Sequence, residues 1–83
     1  MTFYLDGTPL VADYDDVEDI LYLWVTGPVP SVTFETREGH LVQLAAESRE
    51  FVGATIIDYR QLWEGKPITL DIPQFEQHVL QPA

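Results

Sequence analysis

The stretch ILYLWV, Ile20 to Val25, decides the fold. Its residues are β-branched, aromatic or aliphatic, and Gly27-Pro28 and Pro30 close it, so it reads as a strand. Along a strand successive side chains point to opposite faces, which places Ile20, Tyr22 and Trp24 on one side and Leu21, Leu23 and Val25 on the other. Neither set is polar, so the strand requires cover on both sides. A core supplies one cover. A short helix, a barrel-like closure of the sheet, or the same surface of a second copy are the candidates for the other.

Immediately upstream lies DYDDVED, Asp13 to Asp19, five carboxylates in seven residues. Carboxylate oxygens are what calcium and magnesium prefer, so a divalent-cation site at Asp13, Asp15, Asp16, Glu18 and Asp19 is one reading. A calcium loop of the helix-loop-helix type needs Asp or Asn at its fifth position, Gly at its sixth and Glu at its twelfth. Counting from Asp13, those places hold Val17, Glu18 and Trp24, and the match fails. The other reading is a turn between two strands. In it Asp15 accepts hydrogen bonds from the amides that follow it, Asp19 closes the loop, and the remaining acids face water.

Working outward, Phe3 to Leu5 and Leu10 to Tyr14 flank Asp6-Gly7, a pair suited to a two-residue hairpin turn. Pro9 lacks an amide donor and suits an edge. Ser31 to Thr36 and Leu41 to Ala46 form a second hairpin across Arg37-Glu38-Gly39-His40. Phe51 to Ile57 follows Glu47-Ser48-Arg49-Glu50, and Gly53 within it indicates a bulge or a close backbone approach. Asp58 and Gln61 suggest a capped helix start, Gly65 and Pro67 a stop, and Tyr59, Leu62 and Trp63 share a face of the intervening turn or two. Ile68, Leu70 and Ile72 alternate with Thr69 and Asp71 as a last strand, and Gln74 to Leu80 reads as a weak terminal helix with Phe75 and Val79 on one side. The expected architecture is one mainly β domain, β-rich α+β, over residues 1–83: a curled antiparallel meander of about six or seven strands with one short helix near residues 59–64.

Composition narrows the function. With 83 residues the chain has room for one small core, burying roughly 60% of its unfolded surface. It has no cysteine, which removes disulfides, thiolate metal sites and thiol nucleophiles. Fourteen acids against four bases give a net charge of −10, which repels nucleic-acid and anionic lipid surfaces. Six acids and no base fall within residues 1–19, so a basic protein partner would be drawn to that end. No run of about 18 apolar residues offers a membrane span, and a cytoplasmic protein is expected. His40 and His78, with Ser31 and Ser48, have none of the local context of a hydrolytic triad. His40 reads as a hairpin-turn residue and His78 as part of a frayed tail. Paired carboxylates doing glycosidic chemistry would need a deep cleft that so short a chain seldom builds.

Tyr14-Asp15-x-x-x-Asp19-x-Leu21-Tyr22-Leu23 resembles the opening motif, Tyr-Asp-x-x-x-Asp-x-Leu-Tyr-Ile, of a family of small prokaryotic proteins known only as a domain of unknown function. Phe51-Val52-Gly53-Ala54-Thr55-Ile56-Ile57-Asp58 is similar to that family's Val-Gly-Ile-Glu-Ile-Leu-Asp ending, and the likeness spans about Leu10 to Leu62. The resemblance implies a small β-sheet domain with no assigned catalysis, some members of which are suspected antitoxin-like partners of small toxins. The chain departs from the motif at Thr55, where the family commonly has Glu, and at Glu47 to Glu50, which lacks the usual Asp-and-Gly turn.

The expectation is therefore a non-enzymatic interaction protein without cofactor or metal. It acts as a homodimer or through its acidic surface on a basic partner, without direct binding to nucleic acid or membrane. The candidate residues are Tyr22, Trp24, Tyr59 and Trp63, and Asp13, Asp15, Asp16 and Asp19. The aromatic four either pack together as core or face a partner. A divalent-cation domain at Asp13 to Asp19 and an acidic decoy of DNA are the alternatives.

Overall fold

The computed structural model describes residues 2–27, 29–71 and 78–82. Its elements are β1 (Phe3–Leu5), β2 (Thr8–Asp15), β3 (Ile20–Trp24), β4 (Ser31–Glu35), β5 (Leu41–Ala45), β6 (Phe51–Ile57), a helical turn η1 (Tyr59–Trp63), β7 (Ile68–Leu70) and β8 (His78–Pro82). The eight strands form one antiparallel sheet in the order β4-β5-β6-β3-β2-β1-β8-β7. The architecture is mainly β, as the alternation of the sequence predicts.

Two features differ from a meander of six or seven strands. β3 pairs with β6 and β1 with β8, so the chain leaves the sheet interior at the end of β6 and resumes at the far edge as β7. In addition, the expected terminal helix is strand where it is described: residues 78–82 pair with both β1 and β7. His78 is thus a backbone partner of Leu70 and not part of a frayed tail. Phe75 and Ile72 lie outside the described residues. Local propensity could not show that Val79 and Leu80 have strand neighbours for their amides and carbonyls, whereas an isolated helix this short is marginal in water.

β2 makes the sheet curl. Its first part pairs with β1 (Leu10 opposite Phe3, Thr8 opposite Leu5) and its second with β3 (Val11 opposite Trp24, Asp15 opposite Ile20), so one strand serves two half-sheets. The turn before it has Asp6 at φ 49° and Gly7 at φ 87°, the pair of left-handed residues that a two-residue hairpin of the right twist requires. Pro9 sits opposite Tyr4 on the part of β2 that β3 does not reach, where a missing amide leaves no ladder bond unmade. The two edges, β4 and β7, do not pair. The sheet nevertheless rolls far enough that Arg37, just past β4, meets Asp71, just past β7, at 3.5 Å.

Inside the roll lie Phe3, Leu5, Leu10, Leu21, Leu23, Val42, Leu44, Ala54, Ile56, Ile68, Leu70 and Leu80, with Tyr59 from η1. Leu21 and Leu23 are fully buried, which accounts for one face of the deciding strand. The register shifts between Gln43 and Leu44, leaving Val52 as an extra residue between the pairs Gln43–Gly53 and Leu44–Phe51. Gly53 is also approached closely: a Cβ there would lie 2.6 Å from the Leu23 carbonyl oxygen and 2.7 Å from Cε3 of Trp24. The bulge at Val52 and the close approach at Gly53 are therefore adjacent.

Candidate functional site

The acid cluster resolves into a turn that staples two distant parts of the chain. Asp15 Oδ1 accepts the amides of Val17 and Glu18 at 3.0 and 3.1 Å, the Asx turn expected of that position. Asp19 adopts a left-handed φ of 56° to re-enter β3. Its carboxylate then accepts three hydrogen bonds: Oδ1 from the Tyr14 hydroxyl (2.7 Å) and the Arg60 amide (2.7 Å), and Oδ2 from the Gln61 amide (3.2 Å). The Asp19 carbonyl oxygen takes the Tyr59 amide as well, at 3.1 Å. Asp19 therefore caps η1 from across the fold.

This displaces the expected cap. Asp58 stands at φ 55°, ψ 43° with no side-chain capping bond, and η1 is a π-type turn of five residues. Its wider turn puts Tyr59 inside, Trp63 at the core margin and Leu62 half out in solvent, so Leu62 does not share their face. Tyr59 meets Phe3 and Tyr14 edge-on, and Arg60 lies 4.9 Å above the Tyr14 ring. The Tyr14 hydrogen bond first, and then the Arg60 amide, hold the Asp19 carboxyl below its ordinary value; the same bond raises the Tyr14 hydroxyl. A shallow cleft lined by Tyr14, Asp16, Asp19, Asp58, Arg60 and Gln61 opens beside the staple. Among the described residues no group of three or more His, Asp or Glu side chains is placed to hold a metal ion. Asp13, Asp16 and Glu18 are exposed.

The aromatic candidates separate. Tyr59 and Trp63 belong to the inner side of the roll, whereas Tyr22 and Trp24 point outward, so the four do not form one cluster. η1 consequently covers the core and leaves the outer face of β3 to its lateral neighbours. Register defines that face. One row runs Glu35–Leu41–Thr55–Tyr22–Asp13 and the next Thr33–Gln43–Gly53–Trp24–Val11, with Ile57–Ile20–Asp15 beyond. Four inter-strand steps give it a width of about 19 Å from β4 to β2. Its middle holds the partly buried Leu41, Tyr22 and Trp24, with Gln43, Gly53 and Thr55 buried among them. Carboxylates stand at its two margins, Asp13 and Asp15 on β2 and Glu35 on β4, and none of the four basic residues belongs to its rows. Val11 and Ile57 are 54% and 42% exposed.

Gln43 is the residue of this face that sequence reading misses. It is only 8% exposed although it points outward, and Trp24 leans over Gly53, the position between the two. Its Nε2 donates to Thr55 Oγ1 at 3.3 Å, and its buried Oε1 has no hydrogen-bond partner. The signal was present in LVQLA, where a glutamine interrupts an otherwise apolar strand. A second buried atom without a partner is Nε2 of His40, whose ring meets Trp63 edge-on at 4.6 Å on the inner side. His40 stands at the base of its turn as expected, with its amide donating to Thr36 Oγ1, but is almost wholly buried. Burial lowers its pKa from the usual 6.5.

Comparison with protein-family models, curated proteins and solved structures finds no match to this chain. Among the described residues no helix is long and apolar enough to cross a membrane.

Proposed function

We propose that this chain is a non-enzymatic interaction protein whose outer sheet face, centred on Tyr22 and Trp24, binds a basic protein partner. The observation that supports this most is the composition of that face: partly exposed Tyr22, Trp24 and Leu41 in its middle, exposed Val11 and Ile57 beside them, carboxylates at Asp13, Asp15 and Glu35, and no basic side chain in its rows. Aromatic anchors surrounded by charged margins are where binding free energy concentrates in protein interfaces, and the acidic margins favour a cationic partner over an anionic one. In this reading the protein works in the cytoplasm, in the antitoxin-like manner that the family resemblance implies. The net charge of −10 is a reason to favour a basic partner over a second copy, which would bring another chain of the same net charge against it.

The test is capture of partners from the native organism by wild type and by the Tyr22→Ser and Trp24→Ser variants, with native mass measurement of each complex and a salt series. The expected result is a basic partner held by wild type, lost with either variant and released by salt. A partner retained equally by both variants, or a wild-type homodimer with no heterologous partner, overturns the proposal.

A further inference from the structure

The proposed face contains one atom whose chemistry specifies more than a cationic partner. Gln43 Oε1 is buried on the outer side of the sheet and accepts no hydrogen bond, while the same side chain's Nε2 is engaged by Thr55. A buried amide oxygen without a donor is costly, and native structures retain such a group where something else satisfies it. The neighbour of Gln43 in the row is Gly53, and the indole of Trp24 rests over that glycine because the position has no side chain. Tryptophan gives the oxygen no cation. Its ring can turn about two side-chain bonds, and turning it off Gly53 frees the position beside Gln43.

Resting on the reading above, we propose that the row Thr33–Gln43–Gly53–Trp24–Val11 is a receptor for one arginine side chain of the partner. The guanidinium stacks on the turned Trp24 ring and donates an N–H to Gln43 Oε1, while Asp13 and Glu35 in the adjoining row supply the countercharge. Three features select arginine over lysine. A planar guanidinium stacks on an aromatic face, where a compact ammonium cannot. It carries donors in the plane of the stack, directed sideways toward the amide oxygen. It is also more weakly hydrated, so entering a site with apolar neighbours such as Val11 and Leu41 costs it less. The acidic margins exclude the reverse arrangement, in which a partner's carbonyl or carboxylate would approach the amide.

The experiment uses the full chain carrying Trp63→Phe, so that Trp24 is its one tryptophan, with the octapeptides (Gly-Arg)4 and (Gly-Lys)4 as probes at low ionic strength. The Trp24 emission and the Gln43 side-chain amide resonances are followed. The expected result is that (Gly-Arg)4 moves both signals and binds at least threefold more tightly than (Gly-Lys)4. Gln43→Leu and Gln43→Met, which replace the amide by apolar groups of similar volume, are expected to abolish that preference while leaving the salt-dependent binding common to both peptides. Their thermal melts verify that the sheet is intact. Equal binding of the two peptides to the Trp24 face, with the Gln43 resonances unmoved, overturns the arginine receptor and leaves the basic-partner reading standing. Failure of both peptides to move Trp24 overturns both.

Discussion

Replacing Gly53 by alanine tests the central packing statement about the outer face. The other described glycines have positive φ, so a substitution there strains the backbone; at Gly53 no such constraint exists, and only space forbids a side chain. The added methyl would meet the Leu23 carbonyl oxygen at 2.6 Å and Trp24 at 2.7 and 3.1 Å. The indole can move away, but the carbonyl belongs to the β3 backbone that pairs with β6, so the strands themselves must separate slightly. Overpacking of this kind costs about 1–3 kcal/mol, and the reduced freedom of the unfolded chain returns about 0.4–1 kcal/mol. A net loss of about 1–2 kcal/mol lowers the melting temperature of a domain this size by roughly 5–15 °C. Thermal unfolding followed by far-UV circular dichroism measures it, and near-UV dichroism reports the displaced indole. Adding Trp24→Ala removes the movable conflict and leaves the carbonyl one, so the double variant should lose less than the sum of the two single losses by about 0.5 kcal/mol or more. A Gly53→Ala protein melting within about 2 °C of wild type would refute the close approach at this position.

The two faces of β3 should respond oppositely to truncation. Leu23→Ala, in the buried set, is expected to cost about 2–5 kcal/mol in denaturant melts, whereas Tyr22→Ser on the open face should cost much less while removing partner binding. Asp19→Ala is expected to lower the melting temperature and release η1, read as faster amide exchange at Tyr59, Arg60 and Gln61; millimolar calcium, magnesium or manganese should leave the melts of wild type and variant unchanged. Because the Asp19 carboxyl is held below its ordinary value, its contribution is present above the unfolded value near 3.8 and is lost as pH falls through the folded one. Asp19→Asn should therefore flatten the acid limb of a stability-versus-pH curve. His40 carries the same sign at a higher pH: its folded pKa is depressed by burial, so stability is complete above about 6.5 and declines as pH falls toward the folded value. His40→Phe should abolish the decline, with Trp63 fluorescence in the Trp24→Phe background as the readout; an unchanged slope would contradict the burial of this ring.

Most of the strands were legible in the sequence because each is set by neighbours within a few residues. ILYLWV, the Asp6-Gly7 turn and the Asx turn at Asp15 follow from side-chain alternation and local hydrogen bonding, which are properties of a short segment. Gly53 was legible as an irregularity, since a glycine inside a β-branched strand has few other uses. The candidate site was half legible. Tyr22 and Trp24 could be placed on one face by counting, but whether Tyr59 and Trp63 joined them depended on which side of the sheet η1 packs.

The residues of strand β3 alone determined that two apolar faces exist and that both need cover, since alternation is a property of the extended backbone. Only the tertiary structure decided which face received it. The insertion of β8 between β1 and β7, the stapling of η1 through Asp19 and the resting of Trp24 over Gly53 all depend on contacts between distant segments. Asp19 and Arg60 are 41 residues apart, and no local preference of either reports the other. The loop-closure entropy of bringing such segments together is offset by the shared core of Leu21, Leu23, Ile56 and Tyr59, which acts on the whole chain at once. That is why Asp19, which the sequence reads as the closing residue of a turn, also becomes the cap of η1, and why the function is proposed for the face of ILYLWV that the core leaves open.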